Sequence, residues 1–384
     1  MYLNLQSGTK TSGWSPSSGS HPRCVIGTGA ITDGKYSNKL AGRKAELSHY
    51  VAATLIVVKS GNLFIPRNLV ALQDGACVNE GVLYKANGSK RKLDHSEMTH
   101  VWGDIHAVEV NPTYLITLKN IQKAVPCGDV VLHDLHTQVN SHHVASKVIT
   151  RAKLAQTGLL NIEHELNETR KLVEEVASIF NSVKVVESNH NRHLSQYLDR
   201  GHIESENFKT ASILGLAMYH GIDPLQFSAQ HYEAFTAFLE GFMSSIKNRT
   251  ELNFKISTKT KCDNVTYLEA GEKLKVRNFD LGWHGDASGN GSKGTPDSLK
   301  FQLASESAKS HGTVTGHTHT PGYINNAFVV GTTTYLPYQE NAPAYCRGSI
   351  SSWANASVIV YSPKGYSNST AQLFIALENG KVWR

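Results

Sequence analysis

The sequence predicts an α/β fold whose strand tips carry one site, and three observations lead there. From Thr99 onward, short hydrophobic β-like runs alternate with segments of helical period, the pattern of a sheet connected through helices. Five of those runs end in Asp, Asn or His: GDIH at 103–106, LHD at 132–134, SNH at 188–190, WHGD at 283–286 and GHTH at 316–319. Open α/β sheets bind their ligands outside the carboxyl ends of the strands. Ahead of this block, residues from Cys24 to about Met98 read as β-rich, with Gly-containing turns between short apolar runs.

The bulk properties fit one large soluble protein. A chain of 384 residues with 40% hydrophobic and 18% charged residues can build a sizeable core. The formal net charge of +6, with 19 histidines counted as neutral, favours phosphate-rich partners only mildly. Cys24, Cys77, Cys127, Cys262 and Cys346 are odd in number, scattered and without a CxxC pair, which argues for a reducing compartment rather than a disulfide framework. MYLNLQSGTK has no charged leader followed by an apolar run, and no stretch approaches the roughly 20 apolar residues that span a bilayer. The expectation is a cytoplasmic protein without membrane contact.

Taken in order, residues 1–22 are Ser-, Gly- and Thr-rich and predict a flexible leader. Within the β-rich region 23–98, Val51–Lys59 reads as a buried strand, Asn62–Pro66 as another and Gly81–Tyr84 as a third. Lys90, Arg91 and Lys92 form a basic turn, either a solvated loop or a nucleic-acid contact. The remaining 99–384 predicts one catalytic domain. Its strands are VWGDIH, GDVVLH, Val183–Glu187, Leu252–Ile256, Val276–Leu281, 313–315, Ser357–Tyr361 and Ala371–Leu377. Leu166, Leu172, Val173 and Val176 give 163–180 a helical stripe. Further helices are expected at 208–219, 229–247 and, with Pro at its first turn, 296–309. The strand-rich tail is expected to supply subunit contacts in a homo-oligomer.

Asp, Asn and His without Cys suit catalytic Mn, Fe or Zn better than a structural zinc. His317 and His319, two apart on an extended segment, are expected to point into one volume. Singly, most of these motifs have bland readings: Asp104 capping a helix, His106 satisfied in a core, Asn189 forming a turn. GHTH is the most specific. Arg192 and His193 either pin a phosphate oxygen or cap the following helix. His136, His142 and His143 offer a substrate or supporting role, with exposed helix histidines the alternative, and His143 is carried forward. Lys293, in the Gly-rich loop after His284, either touches backbone phosphate or keeps the loop soluble. Trp283 and Trp353 read as packing residues more than as base-stacking platforms.

Order and spacing add to this. Asp-x-His is followed about 30 residues on by Asp134, about 55 further by Asn-His, then by His284 and by Gly-His-x-His. The set resembles the calcineurin-like metallophosphoesterases, whose pattern is D-x-H, GD, GNH[DE], H and GHxH. Here LHD stands for GD, and SNHN for GNHD or GNHE; every expected ligand is present. The resemblance implies a two-sheet α/β sandwich flanked by helices and two divalent ions, Mn first, with Fe, Zn or Mg as alternatives. Asp104, His106 and His319 would hold one ion and Asn189, His284 and His317 the other, with Asp134 bridging them. His190 would face the phosphate and assist the leaving oxygen, while a metal-bridging hydroxide attacks phosphorus.

SNHNRHL, WHGDASGNGSKGT, GHTHTPG, VGTTTYLPY and SSW further resemble phage-encoded members of that family, nearest to the early, host-DNA-degrading nucleases of T5-like phages. The likeness runs from about Gly27 to the C-terminus and implies DNA as substrate and the host cytoplasm as location. Members of that group carry more chain ahead of TGAIT, so the leader here is expected to be a shortened N-terminus. A phosphomonoesterase or nucleotide phosphatase on the same centre is the alternative activity, and a scaffold protein with a dead site the alternative class.

Overall fold

The computed structural model describes residues 2–4, 9–17, 20–47, 49–58, 64–137, 148–156, 158–199, 203–219, 221, 223–225, 262–286, 312–343, 346 and 352–376. Within them a six-stranded sheet has the order Val265–Tyr267, Ser182–Val185, Asp129–Leu132, Met98–Val101, Ala356–Tyr361, Thr370–Ile375. The first four strands are parallel and the last two antiparallel. Parallel strands are covered on both faces and therefore read as unbroken apolar runs. VVL at 130–132 is such a run, and the antiparallel but central ASVIVY at 356–361 is fully buried as well.

One face of this sheet is covered by the helices Pro112–Ala124 and Ile162–Ala177. Each starts on an Asn cap: Asn111 Oδ1 accepts from Thr113 N at 3.0 Å, and Asn161 Oδ1 from Glu163 N at 2.8 Å. Tyr114, Leu118, Ile121, Leu166, Val173 and Val176 face inward. All but Leu166 join Val130, Leu132, Val183 and Val185 in one cluster. Burying each such side chain contributes about 1.5–3 kcal/mol. The other face meets a second sheet, where Val101, Val131, Val358 and Val360 pack with Phe279, Leu281, Val314, Phe328 and Val330. The α/β class is observed, in the form of two sheets sharing a core with helices on the outer face of one.

The second sheet has eight strands, ordered Tyr2–Asn4, Ser20–Thr28, Thr9–Ser17, Gly322–Ile324, Ala327–Val329, Gly312–Thr315, Phe279–Asp280, Lys275–Val276. The expected flexible leader is thus corrected. Thr11 pairs with Tyr323, and Ser12 and Val25 face each other across a hairpin. Backbone pairing with an available edge needs no hydrophobic alternation, so this polar stretch gave no strand signal.

The β-rich N-terminal region is present as a two-stranded ribbon, Ala52–Val58 with Phe64–Val70, and a three-stranded sheet, Cys77–Asn79, Val82–Tyr84, Lys90–Lys92. Two readings change here. The strand expected to be buried alternates in exposure, with Leu55 and Val58 on the surface, because a two-stranded ribbon covers one face at most. The basic turn is a strand, and Arg91 is taken up by Glu97. Glu97, itself buried, accepts from the Arg91 fork at 2.7 and 2.8 Å, from Asp94 N at 2.7 Å and from Lys364 N. It ties the N-terminal region to the turn between the last two strands. Those strands, expected to make subunit contacts, are built into the central sheet. The helices expected at 229–247 and 296–309 and the strand 252–256 lie outside the described residues. No helix among the described residues is long and apolar enough to cross a membrane.

Candidate metal centre

Three parallel strands of the first sheet release the chain at one edge. Met98–Val101 leads to Asp104, and Asp129–Leu132 runs directly into His133 and Asp134. Ser182–Val185 leads to Asn189 and His190, which open the helix Asn189–Asp199. In the second sheet, Phe279–Asp280 precedes His284, and Gly312–Thr315 precedes His317 and His319. Backbone hydrogen bonds lace these ends together: His106 N to Asp134 O at 2.8 Å, Ile105 N to His133 O at 3.0 Å and Gly316 N to His284 O at 2.8 Å.

The side chains converge as two groups that share one carboxylate. His106, Asp134 and His319 form one, and Asp104, Asp134 and His284 the other; within each, all donor atoms lie within 4.8 Å of one another. Asp104 sits between the groups, with Oδ2 3.1 Å from His319 Nε2 and Oδ1 3.9 Å from His284 Nδ1. His284 Nε2 is 3.1 Å from Asp134 Oδ2, and His106 Nε2 is 3.2 Å from His319 Nε2. His317 stands beside His284, ring centroids 5.3 Å apart. His317 and His319 do not share a direction as an extended segment would require. The strand ends at Thr315, both residues have left-handed backbone, and His319 turns instead to His106, 5.2 Å away between ring centroids.

Asp104 and Asp134 are 0% and 1% exposed. Both oxygens of Asp104, Oδ1 of Asp134, Oδ1 of Asn189 and both ring nitrogens of His284 have no hydrogen-bond partner among the described residues. Even the 3.1 Å approaches lack hydrogen-bond geometry. Buried charges without partners cost several kcal/mol each, and lone pairs collected without mutual bonding form groups that could hold a cation. Burial opposes ionisation of Asp104, yet the His319 and His284 imidazoles hold it below the usual carboxylate range. Asp134 is held further below, burial being outweighed mainly by His284 and His190. Burial depresses His284, but Asp134 and Asp104 push it up to about 9. His106 is driven well down by burial and by His190. His284 is thus the imidazole of the two groups that its neighbours push towards the charged form, and a divalent ion would compete with that proton.

The backbone is strained where these side chains sit. Seven non-glycine residues among those described have positive φ, and His106, Asp134, His317 and His319 are four of them, at 47°, 42°, 75° and 57°. Each such residue costs on the order of 1–3 kcal/mol and persists only where its surroundings enforce it. Gly316 shows how tight the enclosure is: a Cβ there would meet Asp104 Oδ1 at 2.1 Å.

Sequence reasoning missed what holds Asp104. Thr332 and Thr333 both donate their hydroxyls to Asp104 O, at 3.1 and 3.0 Å, and Thr333 N donates to the same carbonyl at 2.8 Å. Asn355 Nδ2 fixes the threonine segment by donating to Thr332 O and Thr334 O. The run of three threonines after an apolar strand was the available signal.

The secondary expectations divide. His190 Nδ1 donates to Thr137 O at 2.7 Å, which fixes a proton on Nδ1; its ring centroid is 4.5 Å from that of His106. Arg192, expected on a phosphate, is engaged by carboxylates: Nη1 spans both oxygens of Glu187 at 2.7 and 2.8 Å, and Nη2 meets Asp286. His193 lies against His190, ring centroids 5.0 Å apart. His136 is fully buried and pushed down to about 3 by burial. His142, His143 and Lys293 lie outside the described residues. Trp353 packs edge-on against His319 at 4.1 Å between ring centroids, whereas Trp283, next in sequence to His284, is 41% exposed.

Over 376 residues, 94% of the chain, the sequence is 26% identical to Protein A1 of Escherichia phage T5. The chain spans 60% of the length of that relative. No family model matches the chain. No solved structure matches it.

Proposed function

We propose that this chain, with its phage relative and its paired His/Asp groups, is a metal-dependent phosphodiesterase of the calcineurin-like kind that hydrolyses DNA. The observation that carries the reading is Asp134, a buried carboxylate common to two ligand groups. A shared carboxylate is what a pair of ions 3.5–4 Å apart requires, and such a pair supplies Lewis acidity and an activated water.

The residues fit two ions. Asp104, His106, Asp134 and His319 offer one set of donors, and Asp134, His284, His317 and the neutral Oδ1 of Asn189 the other, with Asp104 close enough to His284 to serve either. Oxygen and imidazole donors without thiolate suit Mn before the softer metals. Asp104 and Asp134 supply the negative charge, and the neutral histidines complete coordination without adding more. His190, held by Thr137 O through Nδ1, would as the imidazolium carry a second proton on Nε2 and give it to the departing oxygen, a contribution of about 10²–10⁴-fold. The +6 net charge favours a polyanion over a small ester.

Elemental analysis of the purified protein, with supercoiled plasmid incubated with and without Mn, tests the reading. Two equivalents of metal and Mn-dependent nicking or degradation are expected. Phosphate release from mononucleotides with intact plasmid would replace it by the phosphatase reading. Neither activity, with no bound metal, would leave only a scaffold.

A further inference from the structure

Asn189 and His284, two donors of the second set, reach the centre from different sheets. Asn189 follows the strand Ser182–Val185 of the six-stranded sheet, and His284 follows Phe279–Asp280 of the eight-stranded one. Arg192 lies in the first turn of the helix Asn189–Asp199, which buried Ser188 anchors: Ser188 Oγ accepts from Asn191 N at 3.3 Å and Ser188 O from Arg192 N at 3.2 Å. On the other side, Asp286 comes just after His284 in the chain. Between them Gly285 has φ 109°, a conformation that favours glycine, so the chain turns there. Asp286 is sent to Arg192 while His284 faces Asp134.

Arg192 joins the two sides. Its Nη1 holds both oxygens of Glu187 at 2.7 and 2.8 Å, and its Nη2 holds Asp286. Glu187 belongs to the short link between Ser182–Val185 and Asn189, so the guanidinium is fixed to the Asn189 side by one arm and to the His284 side by the other. The Arg192 side chain is 44% exposed, against 22% for Glu187 and 13% for Asp286. At such exposure an ion pair adds at most about 1 kcal/mol to folding, so the network does little for global stability. Its geometry does more, because a planar fork with two carboxylates in fixed directions leaves the elements it joins little freedom.

The geometry points to Arg192 as a positioning residue that, through Glu187 and Asp286, holds Asn189 and His284 at the separation the second ion requires. The first donor set is secured by other means: His106 N donates to Asp134 O, and Asp104 O accepts from Thr332 and Thr333. Loss of the brace therefore weakens one ion and spares the other. The inference rests on the two-ion reading of the centre.

Calorimetric titration of the metal-free protein with Mn, and electron paramagnetic resonance of the loaded protein, test it in Arg192→Met and in Arg192→Lys, which keeps the charge without the fork. Both variants are expected to bind one ion as the wild type does and the other about 10–100-fold more weakly, with the signal of a spin-coupled Mn pair giving way to that of isolated Mn. Two ions at wild-type affinity with the pair signal intact overturn the brace and leave the two-ion reading standing; loss of both ions from a folded variant overturns it as well. The combined variant Glu187→Gln, Arg192→Met, Asp286→Asn removes the carboxylates together with the fork. Continued loss of the second ion there supports the brace, whereas its recovery would mean that Arg192 only neutralises two acids, and overturns it. If wild-type protein takes up no metal, the two-ion reading fails by itself and hydrogen exchange decides the brace. The Gly316 amide, which donates to His284 O, is expected to exchange about tenfold faster in Arg192→Lys than in wild type; unchanged exchange overturns the brace.

Discussion

Two buried acidic regions of this molecule are treated in opposite ways. Glu97, 1% exposed, has every demand met: a two-pronged bond from Arg91 and backbone donors from Asp94 and Lys364. Asp104 and Asp134 are as deeply buried, yet three of their four oxygens have no hydrogen-bond partner among the described residues. The first is what a chain does with a carboxylate that serves only the fold. The second keeps lone pairs unspent on strained backbone, an arrangement that a cation could stabilise.

Replacing Asp134 breaks the contrast most completely. Asp134→Asn is expected to abolish plasmid cleavage and to remove metal from both positions, as elemental analysis would show. Wild-type protein at a metal concentration 100 times its Kd should gain about 2.7 kcal/mol of stability, and the variant none. His190→Ala is next: turnover should fall about 10²–10⁴-fold with metal content intact, and undiminished turnover would remove the role assigned to it.

Glu97→Gln probes the other region. It should cost about 3 kcal/mol of stability by breaking a buried charge pair, while the variant still binds both ions at 25 °C; loss of metal from a folded variant would erase the distinction. The pH dependence has a definite sign. The Arg91 guanidinium holds Glu97 at about 2 in the folded protein, against 4.5 for the free residue. Its stabilisation is therefore complete above pH 4.5 and is lost as pH falls from there towards 2, roughly 3 kcal/mol in all. Denaturant titrations at several pH values would show this slope, absent in Glu97→Gln. The smallest effect is expected from Thr333→Val, which removes a hydroxyl donor to Asp104 O and Ile105 O. About 1 kcal/mol of stability and a several-fold loss of turnover should follow.

The sequence disclosed the ligands more readily than the framework around them. Asp104, Asp134 and the histidines stand out because a strand tip has no folding reason to end in such residues. The helix Ile162–Ala177 was legible from its stripe. The helix Pro112–Ala124 was overlooked although Asn111 and Pro112 form a readable start. The helix Asn189–Asp199 was hidden because NHNRHLSQYLD is polar along most of its length. The strands between residues 9 and 28 were hidden because their pairing is made by backbone. Thr332 and Thr333 left only the trace of a threonine run: their bonds span 228 and 229 residues, and no local pattern records a partner so distant.

That span bears on synthesis. A ribosome that has delivered the chain as far as residue 310 has made both aspartates but neither residue of the GHTH pair, and not the threonine segment that grips Asp104 from behind. The cluster is assembled only when residues 316–334 have been made, so translation of the segment that carries His317, His319, Thr332 and Thr333 is the step that completes it.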